Sequence, residues 1–111
     1  MPRLPRLDAP SVAQHVIQRG NNRHICFGDD ADCAAYALWL KEYACKYQVA
    51  VHAWVFMTNH VHLLLTPSQK SGVSKLMQSL GRKYVQYFNF KYSRTGTLEY
   101  RKYKRHVLII I

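Results

Sequence analysis

The chain has 111 residues, 49% of them hydrophobic, which suffices for one packed domain and disfavours both a second domain and global disorder. Its 16 Lys and Arg against 6 Asp and Glu give a net charge of +10, which favours a polyanionic partner, most often nucleic acid, with an anionic membrane as the alternative. No apolar run approaches the roughly 18 residues of a membrane span and no signal-peptide core follows the start, so we expect a soluble, cytoplasmic protein that does not enter a membrane.

The first half of the chain predicts an arm, a strand and a helix. Residues 1–12 contain three of the four prolines and read as an extended basic arm with Arg3 and Arg6. "AQHVIQ" (Ala13 to Gln18) has the β-branched centre of a strand, and "RGNNRH" after it reads as a loop. Three acids favour a helix start: Asp29, Asp30 and Asp32. Four apolar or aromatic residues then follow at steps of four, three and four, which places them on one face of the helix: Tyr36, Leu40, Tyr43 and Tyr47.

The second half predicts a hairpin, a long helix and a last strand. Strands over Gln48–Met57 and His60–Thr66 are close enough to form an antiparallel hairpin, and a helix follows over Val73–Tyr92. The helix has a buried stripe of five residues: Val73, Met77, Leu80, Tyr84 and Tyr87. Leu98–Tyr103 is a candidate fourth strand. The order β-α-β-β-α-β predicts an α+β, ferredoxin-like fold, an antiparallel sheet with both helices on one face, over residues 1–98, leaving 99–111 as a divergent tail.

Two histidines at the start of the third strand are candidate metal ligands. His60 and His62 are two residues apart, so their side chains share one face of the strand, roughly 6.5–7 Å apart along the chain, and can converge on one cation. With six histidines in the chain, such a spacing also arises by chance. His52 could flank the same site or cap the sheet surface, and the other three are interpreted as structural or surface residues: His15, His24 and His106.

Three segments in order resemble one family. They are "HVIQRGNNR" (His15 to Arg23), "MTNHVHLLLTP" (Met57 to Pro67) and "MQSLGRKYVQYFNFKYSRTGTL" (Met77 to Leu98). The His–apolar–His pattern resembles the HUH single-strand DNA nucleases, and the three segments together resemble the REP-associated tyrosine transposases, which are single-tyrosine HUH transposases of bacterial insertion sequences.

The resemblance implies a mechanism and partners. His60 and His62 would hold Mg²⁺ or Mn²⁺, which polarises the scissile phosphate, and a tyrosine would attack to form a 5′-phosphotyrosine during DNA transposition. Ligand chemistry alone would favour zinc, since imidazole suits softer metals. The DNA would be single-stranded or a hairpin, contacted by basic residues of the arm, the first loop and the second helix: Arg3, Arg6, Arg19, Arg23, Lys75, Arg82 and Lys83.

The chain departs from the family pattern after Leu98. The helix that carries the catalytic tyrosine in relatives has no match in "EYRKYKRHVLIII", so we expect a truncated chain without efficient covalent cleavage, with Tyr100 and Tyr103 as weak nucleophile candidates. The apolar end, Val107–Ile111, would pack on the sheet or drive self-association into a homodimer. Two other functions stay open: a non-catalytic RNA-recognition module that stacks bases on Trp54 and Phe56, and a small metal protein that ignores nucleic acid.

Overall fold

The element order follows the sequence prediction. A computed structural model describes residues 10–19, 27–92 and 104–107, the last four by their backbone. Its elements are β1 (Gln14–Arg19), α1 (Asp30–Tyr47), β2 (Val49–Met57), β3 (His60–Pro67), α2 (Gly72–Lys91) and β4 (Lys104–Val107). The order is therefore β-α-β-β-α-β, and the predicted α+β fold is confirmed.

The four strands form one antiparallel sheet in the order β2-β3-β1-β4. The predicted hairpin joins β2 to β3, with an irregularity in the register between Val51 and Ala53. β1 pairs with β3 from Gln14 opposite Leu65 to Arg19 opposite His60. This strand order brings the first strand beside the strand that carries the paired histidines.

Both helices pack on one face of the sheet, and burial alternates from residue to residue along β1 and β3. Along β3, Val61, Leu63 and Leu65 are buried, whereas His60, His62 and Leu64 between them are only half-buried. The buried side chains meet an apolar stripe from each helix: Tyr36, Leu40 and Ala44 of α1, and Val73, Leu76, Met77, Leu80, Tyr84 and Phe88 of α2. The opposite side of the sheet, called the open face below, carries His15, Ile17, Arg19, Val55, Met57, His60 and His62.

A buried carboxylate ties the start of α1 to the end of α2. Asp29 caps α1 by accepting a hydrogen bond from the amide of Asp32 at 3.0 Å. The Asp32 side chain is fully buried and accepts from the hydroxyls of Tyr87 and Tyr92 and from Nζ of Lys91. The predicted acidic helix start is thus present, and one of its acids also holds the two helices together.

Two details differ from the sequence prediction. The buried stripe of α2 continues from Tyr84 to Phe88, one turn on, while Tyr87 is only half-buried and turns its hydroxyl to Asp32. The expected fourth strand at 98–103 lies outside the described residues. The strand that is described, Lys104–Val107, pairs with β1, so the segment beyond residue 98 contributes to the sheet.

Within the part of the chain that the structure describes, neither helix combines the length and apolar character needed to cross a bilayer.

Candidate metal and nucleic-acid site

The paired histidines lie side by side on the open face. His60 and His62 alternate with Val61, whose side chain is fully buried on the helix side. Their ring centroids are 4.8 Å apart and their planes are inclined at 71°. Strand geometry therefore delivers two imidazoles to one half-exposed patch at the start of β3.

The ring of His60 is oriented by its neighbour in the turn. Nδ1 of His60 lies 2.7 Å from Oδ1 of Asn59. An amide oxygen can only accept, so Nδ1 carries the proton and Nε2 keeps its lone pair. Metal-bound histidines in proteins use this arrangement, in which the nitrogen away from the metal donates to a fixed acceptor.

A third histidine joins the pair from β1. Nε2 of His15 lies 3.0 Å from Nδ1 of His62, and the two rings are near parallel at 18° and meet edge to edge, with centroids 5.2 Å apart. The sequence predicts a structural or surface role for His15, whereas the structure places its ring against His62. Side chains alternate along a strand, so an apolar Val16 on the helix side puts His15 on the open face. Combined with a ferredoxin-like strand order, this alternation could have predicted His15 beside the pair.

Of the other histidines, His52 is the one whose side chain the structure describes, and it does not join this group. Nε2 of His52 lies 2.8 Å from the hydroxyl of Thr66, four residues along β3 from His62. His52 therefore caps the sheet surface, which was one of its two predicted roles. His24 lies outside the described residues, and only the backbone of His106 is described, in β4.

The environment of His62 favours its neutral form. Burial lowers the pKa of His62, and electrostatic interactions with His60 and Arg19 lower that pKa further. Arg19 is exposed and lies opposite His60 in the register of β1 and β3. At neutral pH the imidazole of His62 is therefore neutral, as a metal ligand must be.

The donor set fits a divalent cation that keeps open coordination positions. Among the described residues, no group of three or more His, Cys, Asp and Glu side chains could hold a metal ion. His60 and His62 supply two nitrogens, so water or phosphate oxygens would complete the shell of a bound ion. Mn²⁺ accepts such mixed nitrogen and oxygen ligands, and Mg²⁺ usually keeps several waters.

The four predicted DNA-contacting residues that the structure describes fall on two surfaces. Arg19 lies beside the histidines on the open face, whereas the three predicted residues of α2 are exposed in the helix layer on the other side of the molecule: Lys75, Arg82 and Lys83. Lys75 lines a polar cavity of about 100 Å³ together with Lys46 and Lys70. Arg3, Arg6 and Arg23 lie outside the described residues.

The described tyrosines all belong to the helix layer. Tyr36 and Tyr84 are buried in the core, and the hydroxyl of Tyr47 lies 2.8 Å from Oγ of Ser79. The hydroxyls of Tyr87 and Tyr92 both donate to Asp32. Burial and then this hydrogen bond raise the pKa of Tyr87, whereas the hydrogen bond and then burial raise the pKa of Tyr92. None of the six tyrosines between residues 27 and 92 therefore lies on the open face, and Tyr100 and Tyr103 are outside the described residues.

The aromatic residues of β2 do not form a base-stacking platform. Trp54 pairs with Leu63 and Phe56 with Val61, so both side chains point to the helix side of the sheet. In the described sheet, β2 is moreover an edge strand. An RNA-recognition module stacks bases on aromatic residues of the uncovered face, and these two residues are not placed there.

Comparisons with known proteins agree on a family and a fold. A family model described as IS200-like transposase matches residues 9–107. A REP-associated tyrosine transposase bound to a REP hairpin superposes with a TM-score of 0.75 at 12% identity, covering 100% of this chain and 64% of that one. A candidate transposase from Deinococcus radiodurans R1 superposes with a TM-score of 0.69 at 21% identity, covering 97% and 87%. At these identities the two superpositions show a common fold, and no curated protein matches the chain.

Proposed function

This chain belongs to the IS200-like transposase family, and from that premise we propose that it binds single-stranded or hairpin DNA and holds a divalent cation between His60 and His62. The observation that carries the proposal is the pair of imidazoles on the open face, with Arg19 opposite His60. A cation there would polarise a phosphate oxygen of a DNA strand laid across the face, and the guanidinium would contact a neighbouring phosphate.

Hairpin DNA is the ligand class supported by the fold comparison. The REP-associated transposase of the same fold is bound to a REP hairpin, and this chain spans 64% of the length of that protein. The charge of +10 supports the same class of ligand, because a polyanion releases counterions when it binds a basic surface. Lys75, Arg82 and Lys83 would contact a part of the DNA that reaches the helix layer.

Strand cleavage through a 5′-phosphotyrosine is the reaction that the family resemblance implies. It needs a hydroxyl about 3–3.5 Å from phosphorus, in line with the leaving group. The tyrosines between residues 27 and 92 are packed in the helix layer, so Tyr100 and Tyr103 are the candidates in this chain. We propose that metal and DNA binding belong to the sheet and helices, and that efficient cleavage needs a nucleophile beyond them.

Metal binding is tested by calorimetry. Mn²⁺ would be titrated into the protein and into a variant with His60→Ala and His62→Ala together, with His52→Ala as the matched control on the same face. We expect binding in the micromolar to millimolar range that is lost in the double variant and retained in the control. Equal isotherms for the protein and the double variant would refute the metal site.

DNA binding and cleavage are tested with a labelled REP-type hairpin. Fluorescence anisotropy should show tighter binding to the hairpin than to a duplex of equal length, weakening as salt rises. The same hairpin, incubated with Mn²⁺ and run on a denaturing protein gel, should give little covalent adduct. An adduct lost in Tyr100→Phe or Tyr103→Phe would identify a nucleophile in the tail, whereas salt-independent binding would refute the phosphate contacts.

A further inference from the structure

We propose that His15 is a positioning residue for the metal site, because it fixes which nitrogen of His62 is free to bind the cation. The inference rests on the proposed metal site at His60 and His62. It adds a residue from another strand, separated from His62 by 47 positions in sequence. His15 itself would make no bond to the metal or the DNA.

The contact between the two rings is direct. Nε2 of His15 and Nδ1 of His62 are 3.0 Å apart, which is hydrogen-bond distance, and the rings are near parallel at 18°. His15 lies opposite Leu64 in the register of β1 and β3, so it is a diagonal neighbour of His62 on the open face. Two adjacent strands therefore hold the two rings together.

One proton between the nitrogens decides the state of His62. A neutral imidazole has one N–H and one lone pair. If Nε2 of His15 donated, Nδ1 of His62 would accept, and the proton of His62 would sit on Nε2 and block metal binding there. If Nδ1 of His62 donates to His15, Nε2 of His62 carries no proton and its lone pair is free to bind the cation. Metal binding through Nε2 thus requires His15 to be the acceptor.

The same arrangement exists at the other ligand. His60 donates from Nδ1 to Oδ1 of Asn59, which leaves the lone pair of His60 on Nε2. With His15 as acceptor, both ligands present the same nitrogen and each is held by a residue outside the His-Val-His triplet. Outer partners of this kind typically change metal affinity by about 10–100-fold when they are removed.

The substitution that tests the inference is His15→Phe, which keeps an aromatic ring at this position and removes the acceptor nitrogen. His15→Gln offers an amide oxygen as a substitute acceptor. The matched control is His52→Phe, because His52 lies on the same face and also hydrogen-bonds through Nε2, to Thr66. Circular dichroism would establish that each variant is folded, and if His15→Phe is not, the tautomer of His62 in the unmodified protein still tests the inference.

Two measurements separate this inference from the metal site itself. Nitrogen-15 NMR of the metal-free protein reads the tautomer of His62 directly. We expect the Nδ1–H form in the unmodified protein, and a mixture of both forms in His15→Phe. An Nε2–H form in the unmodified protein, or a tautomer unaffected by the substitution, would overturn the inference whether or not metal binds.

Calorimetry with Mn²⁺ gives the second measurement. We expect the dissociation constant to rise about 10–100-fold in His15→Phe, to recover in part in His15→Gln, and to stay unchanged in His52→Phe. Unchanged affinity in His15→Phe would overturn the role of His15 while leaving the metal site intact. Failure of the unmodified protein to bind Mn²⁺ would instead refute the metal site, and the NMR measurement would still decide the role of His15 as acceptor.

Discussion

Replacing the buried Asp32 by Asn should destabilise the fold far more than replacing the exposed Asp30 by Asn. Oδ1 of Asp32 accepts from Tyr87 and Lys91, and Oδ2 accepts from the amide of Gly28 at 2.7 Å and from Tyr92. An Asn side chain presents an NH₂ group to one of these two sets. A tyrosine hydroxyl can rotate to accept, but the lysine and the backbone amide cannot, so one donor always faces a donor.

The size of the loss follows from burial. The Asp32 side chain has no exposed surface, whereas Lys91 is 29% exposed and also bonds Asp29 at 2.8 Å. Removing one partner of a buried ion pair typically costs about 3–5 kcal/mol. Since Lys91 keeps a second carboxylate and some water, we expect the low end, about 3 kcal/mol. At about 1–1.5 kcal/mol per M, this lowers the urea midpoint by about 2–3 M.

The effect should fade in acid. Burial alone would raise the pKa of Asp32, but the hydrogen bonds from Lys91, Tyr92, Tyr87 and the Gly28 amide outweigh it and hold the pKa well below its ordinary value. A carboxyl with a depressed folded-state pKa contributes its full stability above the unfolded-state value and loses it as pH falls towards the folded-state value. The difference between the protein and the variant should therefore be complete above about pH 5 and shrink below about pH 4.

Urea unfolding followed by circular dichroism at several pH values measures both effects. Asp30→Asn is the matched control, because Asp30 is exposed in the first turn of the same helix and should change stability by less than about 1 kcal/mol. Equal midpoints for Asp32→Asn and Asp30→Asn at pH 7 would refute the reasoning. A gap that widens in acid would show that another group causes the effect.

Three further substitutions test the core, a buried amide and the basic helix. Phe88→Ala should cost about 3–5 kcal/mol in urea unfolding because Phe88 is 2% exposed, whereas Phe90→Ala at 89% exposure should stay within about 0.5 kcal/mol. Gln14→Leu should raise stability by about 1 kcal/mol, since neither polar atom of the buried Gln14 side chain has a hydrogen-bond partner in the described part of the chain; a loss instead would reveal a partner. Lys75→Gln should lower the slope of log affinity against log salt by about 0.7 for single-stranded DNA in an anisotropy titration, and an unchanged slope would remove Lys75 from the contact surface.

The elements that sequence alone predicted are those with strong local periodicity. The apolar pattern of α2 repeats at steps of three and four over several turns, and β3 is a short, mainly apolar run, so the type and approximate bounds of both elements followed from the chain itself. The sequence pattern placed Tyr87 in the buried stripe, whereas the structure buries Phe88. Both residues are aromatic, so the pattern alone does not distinguish them. The choice between them depends on Asp32, which draws the Tyr87 hydroxyl out of the core.

The candidate site likewise has one part that the sequence could predict and one part that it could not. That His60 and His62 share a face needs only the two-residue period of a strand, which is a local property. That His15 contacts His62 needs the strand order and the register of β1 against β3, which no local pattern contains. The position of His15 beside His62 could therefore be predicted only by combining the expected fold with the alternation of side chains along β1.

The stability network and the open-face site meet through the backbone. Asp32 holds the amide of Gly28, and the amide of the preceding residue, Phe27, donates to the carbonyl of Thr58 at 3.3 Å. Thr58 begins the turn that contains Asn59, whose side chain orients His60. The turn that positions one metal-binding candidate is thus tied to the segment that the buried carboxylate anchors. The buried carboxylate and the candidate metal site lie on opposite faces of the sheet, and this short stretch of backbone connects them.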